Sequence, residues 1–179
     1  MRKLLLLSLI GLGSTWFAHS QYTQIPDPYF EHALIDLGID SDGEINGQVL
    51  TSDIENIEVL RLYNVIFNNL IGLEDFTSLK TLDLVFCRTN SHLDLSIAPT
   101  LEVFKIYGKT DNIDTNLTDV DLTNNPNLRK IEFRDDWVIR RINLKGSDQY
   151  IDSLYIGYIQ EEIFHSEGLK TTEMKCYFV

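Results

Sequence analysis

The chain is short of the residues that build reactive or cross-linked sites, with two cysteines and four histidines among 179 residues. His32, His92 and His165 lie far apart with no metal-ligand spacing, and no Ser, His and Asp constellation points to a nucleophile. No enzyme and no cofactor is expected, since paired acids such as Asp135 and Asp136 are common on solvated loops. Basic residues are scarce as well: 15 Lys and Arg face 27 Asp and Glu, for a formal charge of -12. A surface of that sign repels phosphate, so nucleic acid is not an expected partner. Beyond residue 20 no stretch stays apolar for the ~20 residues that a membrane-spanning helix needs.

What is present begins with a leader-like segment. Arg2 and Lys3 precede an apolar run from Leu4 to Phe17, and Ala18-His19-Ser20 puts small residues at the two positions a signal peptidase reads. Residues 1–20 are therefore expected to be a signal peptide and Gln21 the mature N-terminus. The protein is expected to be secreted or periplasmic, including association with the cell surface. Loss of Arg2 and Lys3 takes the formal charge from -12 to -14. What remains suits one domain of ordinary size.

The rest of the chain repeats. Ile57-Leu60-Leu62, Leu79-Leu82-Leu84, Leu101-Phe104-Ile106, Leu128-Ile131-Phe133 and Ile151-Leu154-Ile156 share the spacing apolar-x-x-apolar-x-apolar. The middle residues 60, 82, 104, 131 and 154 are separated by 22, 22, 27 and 23 residues, and Met174 with Cys176 continues the series. That period belongs to leucine-rich repeats. One strand with three inward apolar residues cannot bury them alone, so the units must stack side by side. The expected fold is an α/β solenoid: a leucine-rich repeat domain over residues 57–179, with a helical N-terminal cap over 21–56 and about six parallel strands on the concave face.

This register bears on the cysteines. Cys87 follows the second strand and Cys176 lies in the sixth, so four strand steps of ~4.8 Å separate them by on the order of 19 Å, beyond the ~7 Å Cα limit of a disulfide. Two buried free thiols acting as small core hydrophobes are expected.

Residues 21–56 break the repeat. Asp27 is placed to cap a helix with Pro28 at its first position, and Phe30, Ala33, Leu34 and Leu37 form one apolar stripe ended by Gly38. Thr51 to Glu55 reads as a second, very short helix. Between the repeat strands, Leu93-Asp94-Leu95, Val120-Asp121-Leu122 and Ile142-Asn143-Leu144 are returns that bring the chain back to the next strand. The longest repeat carries its extra residues around Lys109 to Thr118, expected as a protruding loop.

Ile25-Pro26-Asp27, Phe30, Leu34, Gly38-Ile39-Asp40, Asp42-Gly43 and Ile45-Asn46-Gly47 resemble the N-terminal cap of secreted bacterial leucine-rich repeat proteins, internalin-like or BspA-like in general type. Asp121-Leu122-Thr123-Asn124-Asn125-Pro126-Asn127-Leu128 is similar to their usual return. The chain departs from them where an asparagine normally follows each strand, with Val65, Cys87 and Lys109 there. The resemblance implies adhesion or recognition of a protein or a glycan, with no catalytic residues to carry over.

Residues between the inward leucines point to the concave surface. One column reads Arg61, Asp83, Lys105, Glu132, Tyr155, Lys175, whose alternating charges suit pairing between neighbouring strands. The next reads Tyr63, Val85, Tyr107, Arg134, Gly157, Tyr177, with Phe86, Tyr155 and Tyr158 beside it. Tyrosine joins a rigid flat body to a polar tip, which suits protein contacts and sugar stacking alike. Tyr63, Phe86, Tyr107, Arg134, Tyr155, Tyr158 and Tyr177 are therefore the candidate ligand-binding residues, against the alternative of a tyrosine ladder packing along its own sheet.

Three further features are weaker. Asp40, Asp42 and Glu44 offer alternating carboxylates for calcium, but with Gly43 at the sixth position of an EF-hand loop, Gly38 and Val49 fall where Asp and Glu should stand. A turn after the cap helix explains the same residues. Trp137, amid charged neighbours, is either a binding edge or a plug between repeats. The strand ending at Tyr177-Phe178 has no recognisable cap after it, so structural self-association through this edge, as a homodimer, is the competing function.

Overall fold

The computed structural model describes residues 22–108, 117–134, 139–144, 151–159, 165–167 and 174–178. The expected signal peptide (residues 1–20), the loop residues 109–116 and Asp135, Asp136 and Trp137 lie outside them. In chain order the elements are β1 (Tyr22–Gln24), α1 (Pro28–Asp36), β2 (Gln48–Leu50), α2 (Thr51–Ile54), β3 (Val59–Tyr63), a 3-10 turn (Leu73–Asp75), β4 (Thr81–Val85), β5 (His92–Asp94), β6 (Val103–Tyr107), β7 (Asp119–Asp121), β8 (Lys130–Arg134), β9 (Arg141–Asn143), β10 (Ser153–Ile159), β11 (His165–Glu167) and β12 (Met174–Phe178).

The repeat spacing becomes two parallel sheets. The larger has six strands in the order β12-β10-β8-β6-β4-β3, and the smaller has four in the order β11-β9-β7-β5. The repeats that begin with β4, β6, β8 and β10 each supply one strand to each sheet, and the returns seen in the sequence are themselves short strands. Pairing across the large sheet follows the repeat, with Leu60 opposite Leu82 and Leu82 opposite Phe104 at 22 residues, and Phe104 opposite Ile131 at 27. Alternation along each strand then puts one face of every strand into a common core. Leu60, Leu62, Leu82, Leu84, Phe104, Ile106, Ile131, Phe133, Leu154 and Ile156 meet Leu93, Val120 and Ile142 from the smaller sheet there. Fully burying such a side chain contributes roughly 1.5–3 kcal/mol, more than local pairing alone supplies. Phe104 and Phe133 touch edge to face, with centroids 5.8 Å apart.

The expectation of a regular column fails at one place. Between β10 and β12 the register shifts after Ile156, so that Ile159 rather than Tyr158 pairs with Phe178. An extra residue in β10 therefore breaks the alignment of Gly157 with Tyr177.

The cap is held by two buried carboxylates. Asp27 Oδ1 accepts the Tyr29 and Phe30 backbone N–H groups at 3.0 and 3.1 Å, capping α1 as the sequence implies. Its Oδ2 accepts the N–H of Asn68 at 2.6 Å, tying the helix to the first repeat. Glu31 is fully buried, and its Oε1 collects the N–H groups of Asn46, Gly47 and Gln48. Leu37, expected on the buried stripe, is 49% exposed, because the helix ends at Asp36 and Gly38 turns the chain at φ 68°. β1 pairs antiparallel with β2, and Gly72 packs beneath the chain leaving β1: a Cβ there would lie 2.3 Å from Ile25 Cδ1.

The asparagine missing after each strand is replaced in two ways. Cys87 Sγ donates to the Leu62 carbonyl at 3.4 Å, filling the gap between successive strand exits with a buried thiol. On the return side, buried Asn125 donates through Nδ2 to the Leu95 and Ala98 carbonyls of the preceding repeat, at 3.0 and 2.5 Å. Cys176 lies in β12, with β6, β8 and β10 between it and β4, which places the two cysteines beyond disulfide reach.

Candidate functional site: the open face of the six-stranded sheet

The residues pointing away from the core make three columns on the large sheet: Val59, Thr81, Val103, Lys130 and Ser153; Arg61, Asp83, Lys105, Glu132 and Tyr155; and Tyr63, Val85, Tyr107 and Arg134. The parallel register brings each set side by side on adjacent strands.

The middle column pairs across strands only in part as its alternating charges suggest. Arg61 donates through Nε and one terminal nitrogen to Asp83 Oδ2, at 3.1 and 2.8 Å. Lys105 Nζ stands 3.6 Å from Asp83 Oδ1, an oxygen with no hydrogen bond of its own. Glu132 turns instead to its own strand, where Lys130 and Arg134 lie two residues either side on the same face, at 3.1 and 3.2 Å. Sequence reading missed Lys130, although the period of two around Glu132 was the signal for it. Burial pushes the Glu132 carboxyl up, but the hydrogen bonds and charges of Lys130 and Arg134 outweigh it and hold the group below its ordinary value.

The aromatic residues divide into two groups. At one end Tyr63 is 64% exposed, and its ring meets Phe86 edge-on with centroids 5.6 Å apart. Phe86 adopts φ 55°, a left-handed conformation that disfavours a bulky side chain, and it keeps its ring partly in water. Asn64, one repeat earlier, has the same φ. A shallow groove of about 400 Å³ lies beside this end, lined by Tyr29, His32 and Asp36 of α1 together with Tyr63, Val65 and Ile66. Towards the other end the tyrosines are engaged. The Tyr107 hydroxyl donates to Glu132 Oε2 at 3.3 Å, and burial followed by the Glu132 charge pushes its pKa up. The Arg134 guanidinium sits 4.7 Å from the centre of the Tyr155 ring. Between the two ends a second hollow of about 340 Å³ is lined by Arg61, Tyr63, Asp83, Val85 and Tyr107. Tyr158 is in β10 and Tyr177 in β12, farther along the same sheet.

The acidic turn lies in the cap, away from these columns. Asp40 Oδ1 accepts the Asp42 N–H, and Asp42 accepts the Glu44 N–H at 2.8 Å and the Asn46 side-chain amide at 2.8 Å. Burial, then the neighbouring Asp42 charge, pushes the Asp40 carboxyl up, while the Glu44 N–H and Asn46 pull Asp42 down. Among the described residues no group of three or more His, Cys, Asp or Glu is placed to hold a metal ion. No described helix is long and apolar enough to cross a membrane.

No protein-family model matches the chain, and no curated protein matches it. Among the solved structures that do match is internalin C2 from Listeria monocytogenes strain 4b F2365, 12% identical over 89% of this chain and 98% of that one, with a TM-score of 0.36. A likeness this loose leaves family and function to be argued from the residues.

Proposed function

We propose that the chain is an exported, non-catalytic binding module that recognises a protein or a glycan through the open face of its six-stranded sheet. Export rests on the leader-like residues 1–20. The recognition surface rests above all on the Tyr63–Phe86 pair, two large rings kept in water at one end of the sheet, one of them on a strained backbone. Apolar area and a left-handed Phe both cost stability, and an edge that binds nothing gains nothing from either. From this end the surface continues over Tyr107, Arg134 and Tyr155 towards Tyr158 and Tyr177.

The test is to apply the full chain to glycan and peptide arrays beside Tyr63→Ala and Phe86→Asn variants. An Asn127→Ala variant on an exposed return is the control. Asparagine accepts the φ of Phe86, so this variant removes the ring without adding strain. The reading expects ligands whose binding falls at least tenfold in both face variants and stays in the control. Equal binding by all four proteins overturns it.

A second reading, self-association, is favoured by the position of β12 at the end of the sheet order, paired with β10 alone among the described strands. Solution mass across a concentration series decides it: a dimer abolished by Tyr177→Glu supports the edge as the working interface.

A further inference from the structure

The charge on the open face has the opposite sign to the chain. Its described columns carry Arg61, Lys105, Lys130 and Arg134 against Asp83 and Glu132, four cations to two carboxylates, a net +2 on a protein of -12. Depth sharpens the difference. The Asp83 side chain is 2% exposed and that of Glu132 9%, whereas Arg61 is 65%, Arg134 45%, Lys130 41% and Lys105 23% exposed. Each carboxylate lies beneath two cations and is shared by them, so a guanidinium or ammonium head is what meets solvent. With five N–H donors to each guanidinium and three to each ammonium, most donors on these four heads remain for a ligand. Lys175, in register with Tyr155, continues the same column.

We infer that the open face takes an acidic, extended peptide segment of a partner protein, its carboxylates over the Lys105, Lys130 and Arg134 end and an apolar side chain against Tyr63 and Phe86. This rests on the binding-module reading above and names the chemistry of its ligand. Charge complementarity carries the first half: a cationic face on an acidic molecule attracts anionic groups locally and repels them everywhere else, which orients the ligand as well as holding it. The second half comes from the other end of the sheet, where Val59, Tyr63, Ile66 and Phe86 are each at least 36% exposed, with Arg61 the cation between Val59 and Tyr63 on β3. An anionic polysaccharide would satisfy the cations and stack on Tyr63, but it brings no apolar side chain to Val59, Ile66 and Phe86. A peptide uses both ends.

A random dodecapeptide display library, panned on the full chain at low salt, tests this. Recovered peptides are then measured against wild type, Lys105→Gln/Arg134→Gln and Tyr63→Ala, with thermal melts to establish that each variant is folded. Lys130 remains beside Glu132 in the double variant, so the buried carboxylate keeps a partner. The inference expects recovered peptides enriched in Asp and Glu with an aromatic or aliphatic residue to one side. It also expects affinity lower by at least tenfold in the double variant and in 0.5 M NaCl, and lower by at least fivefold in Tyr63→Ala. Neutral or basic peptides that bind the face and lose affinity in Tyr63→Ala overturn the acidic ligand and leave the binding-module reading standing. Peptides that bind all three proteins equally remove that reading too. Oligouronates that bind in a Lys105- and Arg134-dependent way, with no peptide recovered, overturn the inference in favour of a glycan.

Discussion

Asp27 and Asn68, forty-one positions apart, are joined by a 2.6 Å hydrogen bond from a backbone N–H to a buried carboxylate oxygen whose twin caps α1. One side chain therefore fixes both the start of the cap helix and its seat on the first repeat. Asp27→Ala removes a cap, costing about 1 kcal/mol, and leaves a backbone N–H without its acceptor, costing about 1–3 kcal/mol more. Urea unfolding is expected to show a loss of about 2–4 kcal/mol, with Asp27→Asn between the two proteins.

Gly72 and Gly43 both have positive φ, at 103° and 70°, but only Gly72 is crowded. A Cβ at Gly72 would meet Ile25 Cδ1 and the Gln24 carbonyl oxygen at 2.3 and 2.7 Å, whereas nothing lies within 4 Å of one at Gly43. Gly43→Ala is expected to cost about 1–2 kcal/mol for the left-handed backbone alone. Gly72→Ala adds overpacking against backbone, about 1–3 kcal/mol further, and thermal melts of the two variants should separate accordingly.

Cys87 is 1% exposed, and burial pushes its thiol up, above the value of a free cysteine. In a Cys176→Ala background the native protein should resist an aromatic disulfide reagent at pH 8, with labelling accelerated at least a hundredfold in 8 M urea. Rapid labelling without urea would place the thiol outside the core.

Asp40 contributes a pH dependence opposite in sign to that of the lowered carboxyls Asp42 and Glu132. Its folded pKa is raised above the ordinary 3.8, first by burial and then by Asp42, with Glu31 and Asp53 adding to it. A raised carboxyl binds its proton more tightly in the folded chain, so its ionisation weakens folding as pH rises from about 3.8 through the folded value, and the penalty is constant beyond. Asp40→Asn is therefore expected to raise the melting temperature at pH 7 relative to wild type, with the gain vanishing near pH 3. The same gain at both pH values would assign the effect to something other than charge.

The large sheet was legible because its signal is redundant: the same apolar triplet recurs at 57–62, 79–84, 101–106, 128–133 and 151–156, and only stacking satisfies all of them. The cap helix was legible through Asp27 and Pro28, a local signature. The second bond of Asp27 and the three N–H groups gathered by Glu31 were not, since nothing near residue 27 or 31 points to Asn68 or Gly47. The same limit applied on the open face. Alternating charge along one column suggested that Lys105 pairs with Glu132, but Lys130 and Arg134 reach that carboxylate along its own strand. The smaller sheet was seen only as returns, because three-residue strands such as His92–Asp94 are too short to show a period of two.

Four strands of the large sheet, β3, β4, β6 and β8, run side by side with five residues paired at each junction and no shift. A ruler follows from this. Neighbouring strands recur every ~4.8 Å, while an extended chain laid across them advances ~3.3 Å per residue, so two strand steps match three residues of ligand to within about half an ångström. A segment crossing the sheet comes back into phase at every third residue, but its side chains alternate faces, so only every sixth residue is both in phase and turned to the sheet. Arg61 on β3 and Lys105 on β6 are two steps apart. A fully extended ligand cannot turn carboxylates three residues apart to both of them, and the spacing that suits this geometry is six residues, one side of the segment over four strand steps.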